Sequence, residues 1–566
     1  MNSNKYKNSI YVTRDITDLR DMVRQSVKIY GDSPAFLEKK ERGGEYQPIS
    51  FNKFGSDIDA LGTALVNQGY KGRRIGVIGE NSYRWVVSYL AVTNGVGVVV
   101  PFDKELPVQE LAGLIMRSEV AAVVTSKKCE EKVKEAVGIA QRQVRIISMD
   151  SELDTMIVDG NHLLDTGHRE YLDAEIDPDA MSILLFTSGT TGLAKGVMLT
   201  HRNIAKNTQN MSKYVGIAPG SVGLSVLPMH HTFELTCHVM TSIYQGLTVA
   251  ICEGLKYITK NMEEAQVHHM LGVPLIFEQM HKKIMKQANQ SGKADKLRKG
   301  IALSHKMHLY NHPEITKKMF ADVHKAFGGN MSLFIAGGAA IDPKIIEDFE
   351  AMGITMFQGY GMTENAPIIA VNRDRCGRAD AAGFVMPETE VRIINKDEKG
   401  MGEIICRGPS VMLGYYDNPE ETAAVLKNGW LYTGDYGRLD RDGYLYIMGR
   451  KKNVIVTKNG KNIFPEEVEY YLLKSDFIEE VLVLGEDDEK TGDTVIKAII
   501  YPNFKLLEDM GHMSDEEMEK FFKGVVDKAN EEMPSYKMVK RIAIRKTEFE
   551  KTTTRKIKRF LESNLK

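Results

Sequence analysis

The chain has 566 residues, with 74 basic and 76 acidic side chains and a formal net charge of −2. This length exceeds what one hydrophobic core serves, so we expect about two to four domains or lobes. The near-neutral balance gives no indication of nucleic acid as a partner. Five cysteines lie far apart without paired spacing, which argues against a disulfide framework or a metal cluster and suits a reducing compartment.

The N-terminal residues 1–7 are polar or basic and lack the apolar core of a signal peptide. No stretch of the sequence reaches the roughly 18 unbroken apolar residues of a membrane-spanning helix. We therefore expect a cytoplasmic protein.

Apolar, strand-like runs alternate with helix-like stretches in the first part of the chain. In chain order the pattern predicts a strand at 74–79, a helix at 82–92, a strand at 98–100, a helix at 107–117 and strands at 121–125 and 181–186. Thr200 is a candidate N-cap for a following helix. This alternation predicts an α/β architecture with largely parallel sheets.

Shorter elements follow in the second half of the chain. The lysine-rich stretch 282–299 reads as a solvated surface helix. Turn-bounded strands at 390–395, 402–407 and 443–448 indicate a smaller β-rich subdomain. From about residue 451 we predict a separate small α+β unit, with strands near 480–484 and 495–501 and a helix near 514–532.

The most informative segment follows the strand at 181–186. Six glycine or hydroxyl residues, 187–192, come before Lys195. Such a loop offers backbone N–H groups and hydroxyls to a polyanion, and the lysine adds a point charge, so a nucleotide triphosphate is the predicted ligand. The spacing is not that of a Walker A loop. The alternative is a flexible surface loop.

This loop closely resembles the phosphate-binding motif of the adenylate-forming superfamily, which contains acyl-CoA synthetases, peptide-synthetase adenylation domains and beetle luciferases. The resemblance implies a large N-terminal domain, 1–449, made of two α/β subdomains and a β-rich subdomain. A small mobile α+β domain, 450–566, would follow. It also implies that the phosphates of ATP contact a set of loop residues: Thr187, Ser188, Gly189, Thr190, Thr191, Gly192 and Lys195.

A second motif spans Gln358 to Glu364. A tyrosine between glycines can stack on a purine, and a glutamate is a hard oxygen ligand for Mg²⁺. In the superfamily the residue that matches Tyr360 packs on adenine, the one that matches Thr363 contacts the α-phosphate, and the one that matches Glu364 holds magnesium. Gly359 would belong to the same nucleotide site. The segment 334–340 is similar to the turn beside adenine and the acyl pocket, which places Gly338 in the nucleotide site.

Two further motifs lie near the predicted domain boundary. Asp435 reads as a turn former on its own, whereas the resemblance assigns this aspartate to the ribose hydroxyls. The basic cluster after Gly449 reads as solvated linker charge. The resemblance instead implies that Arg450 contacts ribose, that Lys452 is the hinge, and that Gly460 lines the channel for CoA.

The basic stretch 551–559 reads on composition as a solvated tail. Matching the superfamily's Thr-x-x-Gly-Lys-Ile pattern selects Lys556 as the catalytic lysine, although Arg555 replaces the usual glycine. Lys551 and Lys558 are the alternatives under a different register. Fatty substrates partition into membranes, so transient membrane contact through this tail is a further expectation.

The segment 227–234 contains the histidine pair His230-His231. A third ligand at metal spacing is missing from the sequence, so we predict that the pair does not hold zinc. The segment resembles the superfamily's aromatic/histidine motif beside the substrate carboxylate, with His231 at the matching position. The acyl pocket would then be formed by His231, Phe233, Gly338 and Ala339. Phe233-Glu234 is similar to the variant of long-chain fatty acyl-CoA synthetases.

Together these motifs imply an AMP-forming fatty acid:CoA ligase that uses ATP, Mg²⁺ and CoA. Its catalytic groups would be Lys556, His231, Glu364 and Thr187, with Glu364 as the metal ligand. An acyl carrier protein is the alternative acceptor after the same first step. A nucleotide-binding regulator and a luciferase-like oxidase are the remaining alternatives, and neither has separate support in the sequence.

Overall fold

The computed structural model describes residues 10–187, 194–374, 377–456, 462–487, 494–508, 510–511, 513–551, 557–559 and 561–565. The chain is a mixed α/β protein with a large N-terminal part and a smaller C-terminal unit. The predicted elements of the first 200 residues are confirmed to within about two residues at each end. The structure also contains elements that the sequence pattern did not predict, among them a strand, Lys195–Thr200, between the glycine-rich loop and the helix that begins at His201.

The first sheet has seven strands, and its middle strands are parallel. In spatial order they are Gly414–Tyr415, Lys195–Thr200, Met181–Thr187, Gly97–Pro101, Arg73–Ile78, Ala122–Thr125 and Arg145–Ser148. The first two of these strands run antiparallel to their neighbours. The strand Ala122–Thr125 is buried on both faces, which explains why the parallel strands read as continuous apolar runs.

The second sheet has fourteen strands. Along its length they are Glu390–Ile394, Gly402–Arg407, Trp430–Leu439, Tyr444–Arg450, Gly383–Val385, Ile368–Val371, Thr355–Gly361, Leu333–Ala336, His269–Gly272, Val222–Ser225, Thr248–Ile251, Pro34–Lys39 and Tyr46–Ser50, with Leu426–Lys427 beside Trp430–Leu439. The strand Thr355–Gly361 is the seam, because it pairs in parallel on one side and antiparallel on the other. The predicted β-rich region is therefore continuous with the parallel sheet.

Helices cover both sheets of the N-terminal part. They are Leu19–Tyr30, Phe51–Asn67, Tyr83–Ala91, Val108–Ser118, Glu130–Ala140, Leu153–Asp165, His201–Tyr214, Thr232–Glu234, Thr241–Gln245, Ile258–Glu264, Pro274–Gln290, Ala294–Met307, Pro313–Met319, Ala321–Ala326, Pro343–Ala351 and Pro419–Val425. Two π-helical turns, Val92–Val96 and Leu235–Met240, continue short helices. The predicted surface helix at 282–299 is in fact two helices, separated by a turn at 291–293.

The helix His201–Tyr214 connects the two sheets and helps to position the site. Thr200 caps it reciprocally with Asn203, as its sequence predicts. The amide of Asn207 donates to the carbonyls of Asn365 (3.3 Å) and Ile368 (3.0 Å), and that of Asn203 donates to Pro409 at 2.8 Å. These bonds fix the loops that carry the motif at 358–364.

The C-terminal unit has its own apolar core between a three-stranded sheet and two helices. Its strands are Ile455–Val456, Asn462–Ile463, Ile478–Asp487, Thr494–Pro502 and Val539–Ile544, and its helices are Pro465–Leu472, Phe504–Glu508, Asp515–Glu531 and Glu562–Leu565. Polar contacts join it to the larger part: Tyr470 donates to Asp342 at 3.1 Å, and Lys282 lies 3.1 Å from Asp476.

Among the residues that the structure describes, no helix combines the length and the apolar character needed to cross a membrane.

Candidate functional site

The glycine-rich loop connects two antiparallel strands rather than a strand and a helix. Thr187, at the end of one strand, pairs directly with Lys195, at the start of the other. The residues Ser188, Gly189, Thr190, Thr191 and Gly192 lie outside the described part of the chain. A hairpin satisfies the backbone on both sides of the loop through ladder hydrogen bonds, so the ends of the loop have fixed positions.

Charged side chains meet beside this hairpin. The Nζ of Lys195 lies 2.6 Å from Oε2 of Glu421, on the helix Pro419–Val425, and 5.1 Å from the ring centre of Tyr415. The hydroxyl of Tyr415 donates to Oε1 of Glu364 at 2.8 Å. Burial raises the pKa of Tyr415, and the Glu364 carboxylate raises it further, so the phenol stays protonated. Thr363 and Glu364 share a 3₁₀ turn.

A second cluster forms where Tyr360 meets the strands Trp430–Leu439 and Tyr444–Arg450. The hydroxyl of Tyr360 donates to Oδ2 of Asp435 at 2.6 Å, and Nε of Arg450 lies 2.9 Å from Oδ1. Asp435 is directly opposite Arg450 in the sheet and is only 5% exposed. Burial raises the pKa of Tyr360 well above its usual value, and the Asp435 carboxylate adds to this. The structure thus brings together Tyr360, Asp435 and Arg450, to which the resemblance gives roles at adenine and ribose.

The predicted hinge residue Lys452 lies in the 3₁₀ turn Lys451–Asn453, directly after Arg450. Partial burial and the positive charges of Arg450 and Lys195 lower the pKa of Lys452. Its neighbour Lys451 pairs with Glu403 at 2.7 Å, so the turn is attached to the larger part of the molecule. The predicted CoA-channel residue Gly460 lies outside the described residues.

Three of the predicted acyl-pocket residues, Phe233, Gly338 and Ala339, lie at or near the turn after the strand Leu333–Ala336. Phe233 packs on Gly337, where an added Cβ would lie 2.6 Å from the ring. Gly338 has φ of +86°, a conformation that favours glycine, and Ala339 is exposed at the same turn. Gly359 lies on the strand that ends in Tyr360 and Gly361.

The histidine pair has a third neighbour that the sequence did not reveal. The ring centres of His230 and His231 are 4.2 Å apart, and Nε2 of His230 lies 3.4 Å from Oδ2 of Asp103. One potential ligand atom from each residue lies within 4.8 Å of the other two. The expectation that a third ligand is missing is therefore wrong: Asp103, which follows the strand Gly97–Pro101, is brought in by the fold.

Of the three candidate lysines near the C-terminus, Lys556 lies outside the described residues. Lys551 pairs with Glu480 and with Glu548, the latter at 3.0 Å, and its side chain is 13% exposed. Its charge is thus held within the C-terminal unit. The backbone N–H of Lys558 donates to the carbonyl of Glu550 at 2.9 Å.

The chain is similar to known proteins over most of its length. A family profile described as AMP-binding enzyme matches residues 23–416, and a second, described as AMP-binding enzyme C-terminal domain, matches residues 452–561. The long-chain-fatty-acid–CoA ligase of Escherichia coli O157:H7 is 27% identical, over 87% of this chain and 87% of its own. The long-chain-fatty-acid–[acyl-carrier-protein] ligase AEE15 of Arabidopsis thaliana is 26% identical, over 85% and 76%.

Solved structures share the fold at lower identity. The anthranilate CoA ligase AuaEII in complex with anthranoyl-AMP superposes with a TM-score of 0.76 and 18% identity, covering 99% of this chain and 98% of its own. ATP-bound MatB from Rhodopseudomonas palustris superposes with a TM-score of 0.72 and 22% identity, covering 96% and 97%.

Proposed function

Because the chain belongs to the AMP-binding enzyme family, we propose that it is an ATP-dependent fatty acid:CoA ligase. In the first step the carboxylate attacks the α-phosphate of ATP, an acyl adenylate forms and pyrophosphate leaves. In the second step the thiol of CoA attacks the acyl carbonyl and AMP leaves. The observation that carries the proposal is the meeting of Tyr360, Asp435 and Arg450, with Glu364 four residues after Tyr360 in the chain.

Asp435 would accept hydrogen bonds from the ribose hydroxyls. Its two oxygens already accept from Tyr360 and face Arg450, so the carboxylate is oriented before any ligand arrives. Arg450 would share the ribose, while the ring of Tyr360 would pack on adenine between Gly359 and the turn that contains Gly338. Positioning of this kind is the main requirement of phosphoryl transfer.

The triphosphate would bind along the hairpin loop, with contacts from Thr187, Lys195 and the residues 188–192, and Thr363 would meet the α-phosphate. Glu364 is a half-buried carboxylate with one oxygen bonded to Tyr415, and such an oxygen donor suits Mg²⁺. When bound, Mg²⁺ would supply charge neutralisation at the phosphates. We assign Lys556 to the same task at the transferring phosphate.

On the acid side, His231 would border the substrate carboxylate, and Phe233, Gly338 and Ala339 would form the wall of the acyl pocket. Support for a fatty acid comes from the relatives that are named long-chain-fatty-acid ligases.

We propose a division into residues 1–449 and 450–566, with the second domain turning about Lys452 so that Gly460 lines the path of CoA. We further propose a cytoplasmic location, with transient membrane contact through 551–559.

An acyl carrier protein is the second candidate acceptor. It is favoured by one specific observation, the similarity to a relative named as a long-chain-fatty-acid–[acyl-carrier-protein] ligase. The first half-reaction is the same in both cases.

The test is acid-dependent release of AMP with ATP and Mg²⁺ across saturated fatty acids from short to long, with CoA or an acyl carrier protein as acceptor. Formation of acyl-CoA with a maximum at medium or long chains is the expected result. AMP or pyrophosphate release without acyl-CoA, together with acylated carrier protein, would support the second candidate. Absence of turnover with every chain and both acceptors would contradict the fatty-acid assignment.

A further inference from the structure

A buried polar cluster lies between the parallel half of the second sheet and the helical segment 232–245. It consists of Glu234, His238 and His269. Glu234 and His238 are fully buried, and Nδ1 of His238 lies 2.8 Å from Oε1 of Glu234. The rings of His238 and His269 meet edge to face, with centres 5.5 Å apart. None of the roles proposed above uses this cluster.

The alternation of side chains along a strand places His269 on the sheet face against which Phe233, a residue of the proposed acyl pocket, packs. Met270 faces one apolar core, whereas Leu271 faces another, against which Phe233 packs. Because side chains alternate across a strand, His269 lies on the same face as Leu271. Phe233 also packs on Gly337, so this one side chain contacts both the Gly337 turn and the apolar layer that contains Leu271.

Three polar atoms of the cluster have no hydrogen-bond partner within the described part of the chain: Glu234 Oε2, His238 Nε2 and His269 Nδ1. Buried polar atoms are nearly always satisfied, so such a concentration requires a reason. A Cβ at Gly223 would lie 2.3 Å from Nε2 of His269 and 2.4 Å from Nε2 of His238. Both imidazole rings therefore pack directly against the backbone of Gly223, and any larger residue at this position would displace them.

The chemistry of the cluster selects a hydrogen-bond donor. When Nδ1–H of His238 donates to Glu234, its Nε2 carries a lone pair, and Oε2 of Glu234 is also an acceptor. Burial lowers the pKa of His269 well below its usual value, so this ring is neutral. An alkyl chain would leave all these acceptors unpaired, whereas a hydroxyl group would donate to one of them.

We propose that the acyl pocket ends at Glu234, His238 and His269 and selects a carboxylic acid whose chain carries a hydroxyl group. This inference rests on the proposed ligase function and narrows its substrate class. The π-helical turn Leu235–Met240 advances the helix by one residue directly after Glu234, and π-helical insertions are frequent at functional sites.

The first test compares kcat/KM for hydroxy acids, with the hydroxyl position varied, against unsubstituted acids of the same length. We expect the best hydroxy acid to exceed its unsubstituted counterpart at least about tenfold, because a site built for a hydroxyl rejects the analogue that lacks it. Glu234→Gln, and independently His238→Gln, should lower kcat/KM for the hydroxy acid about tenfold more than for the plain acid.

Tyr89→Phe is the matched control. The hydroxyl of Tyr89 is also buried and without a hydrogen-bond partner among the described residues, but it lies in the helix Tyr83–Ala91 in another core. This variant should keep the wild-type preference. Equal kcat/KM for hydroxy and plain acids at every hydroxyl position would overturn the proposal while leaving the ligase function intact.

If no acid is turned over and the proposed function fails, a binding measurement still tests the preference for a hydroxy acid. Thermal unfolding is recorded with a saturating hydroxy acid or plain acid and no ATP, because a ligand that binds the native state raises Tm. A larger rise with the hydroxy acid in the wild type and in Tyr89→Phe, lost in Glu234→Gln, supports the proposal. Equal rises, or none, overturn it.

Discussion

The two corners of the candidate site, to which we assign the ribose and the phosphates of ATP, are built differently. The ribose corner, Tyr360, Asp435 and Arg450, comes from three strands of the second sheet, and two of its members are direct cross-strand partners. The phosphate corner consists of residues from the first sheet, a 3₁₀ turn and a short helix: Lys195, Tyr415, Glu364 and Glu421.

The difference lies in how each corner handles its charges without a nucleotide. In the ribose corner the Asp435 carboxylate accepts from the phenol of Tyr360 and pairs with the guanidinium of Arg450. A bound ribose would replace some of these hydrogen bonds with bonds from its own hydroxyls. In the phosphate corner Lys195 is paired with Glu421 at 2.6 Å, so a phosphate has to compete with a carboxylate for the same ammonium. We therefore expect the ribose corner to determine mainly the affinity for ATP. The phosphate corner should determine mainly how well the charge on the phosphates is stabilised during the reaction.

The largest effect is expected for Lys556→Ala, which removes the charge assigned to the transferring phosphate. Adenylation should fall about a thousandfold, while thioester formation from preformed acyl adenylate is largely kept. Pyrophosphate exchange and single-turnover thioester assays measure the two half-reactions. Lys551→Ala and Lys558→Ala test the register, and equal loss in both half-reactions of Lys556→Ala would contradict the assignment.

Glu364→Gln keeps the shape of the side chain but removes the charge that would hold Mg²⁺. A loss of about 300-fold in kcat/KM is expected, with a higher Mg²⁺ requirement, because charge neutralisation in this corner depends on the metal. Titration of activity with Mg²⁺ measures both effects. Glu398→Gln, at an exposed position, is the control, and an unchanged Mg²⁺ requirement in Glu364→Gln would argue against a metal ligand there.

Asp435→Asn tests the ribose corner. We expect about a 100-fold loss in kcat/KM, mostly as a raised KM for ATP, since two charge-assisted hydrogen bonds to ribose weaken and Arg450 loses its counter-charge. Steady-state kinetics and AMP binding by calorimetry measure this. Asp442→Asn, in a nearby exposed turn, should be neutral toward ATP. If Asp435→Asn instead lowers kcat and leaves the KM for ATP unchanged, the two corners do not differ in the way proposed here.

Tyr415→Phe removes the hydrogen bond to Glu364 but keeps the ring. We expect the Mg²⁺ concentration for half-maximal rate to rise about five- to tenfold, because Glu364 loses one hydrogen bond to its charged carboxylate. Tyr416→Phe is the matched control, because its hydroxyl accepts from Arg74 instead. If both variants behave alike, Tyr415 does not orient Glu364.

The smallest effect is expected for Glu421→Gln, and it has the opposite sign. Freed from its partner, Lys195 should bind ATP about threefold more tightly at low salt, and the gain should vanish as salt screens the pair. Calorimetry at two ionic strengths checks this, with Glu420→Gln on the same helix as the control. A weaker binding of ATP would mean that Glu421 helps the nucleotide rather than competing with it.

The sequence revealed the ribose corner more completely than the phosphate corner. Asp435, Tyr360 and Arg450 each lie in a motif. Strand register brings Asp435 and Arg450 together, whereas Tyr360 reaches Asp435 from a strand that is not adjacent to theirs. Tyr415 and Glu421 carry no such signal, because a two-residue strand and a seven-residue helix leave little pattern. Tyr415 is placed by its pairing with Val197, more than 200 residues away in sequence, which no local pattern contains. Asp103 was missed for the same reason.

The glycine-rich loop shows the opposite limitation. Its composition correctly marks the end of a strand, but the sequence pattern predicts only a helix N-cap at Thr200 and no strand at Lys195–Thr200. The short apolar run, Val197–Leu199, also fits a strand, and the pairing with Met181–Thr187 decides in favour of it. The continuity of the second sheet could not be predicted from the sequence either. The turn-bounded strands predict a smaller β-rich subdomain, and the structure shows that these strands continue the parallel sheet.

The seam strand Thr355–Gly361 also determines how the protein can be divided for expression. A fragment ending before Ile368 would leave one side of this strand as an unpaired edge, where the backbone N–H and C=O groups invite addition of strands from other molecules. A cut after Arg450 keeps all fourteen strands of the second sheet in one piece. Fragments of the first kind should aggregate, whereas fragments of the second kind should keep a fully paired sheet.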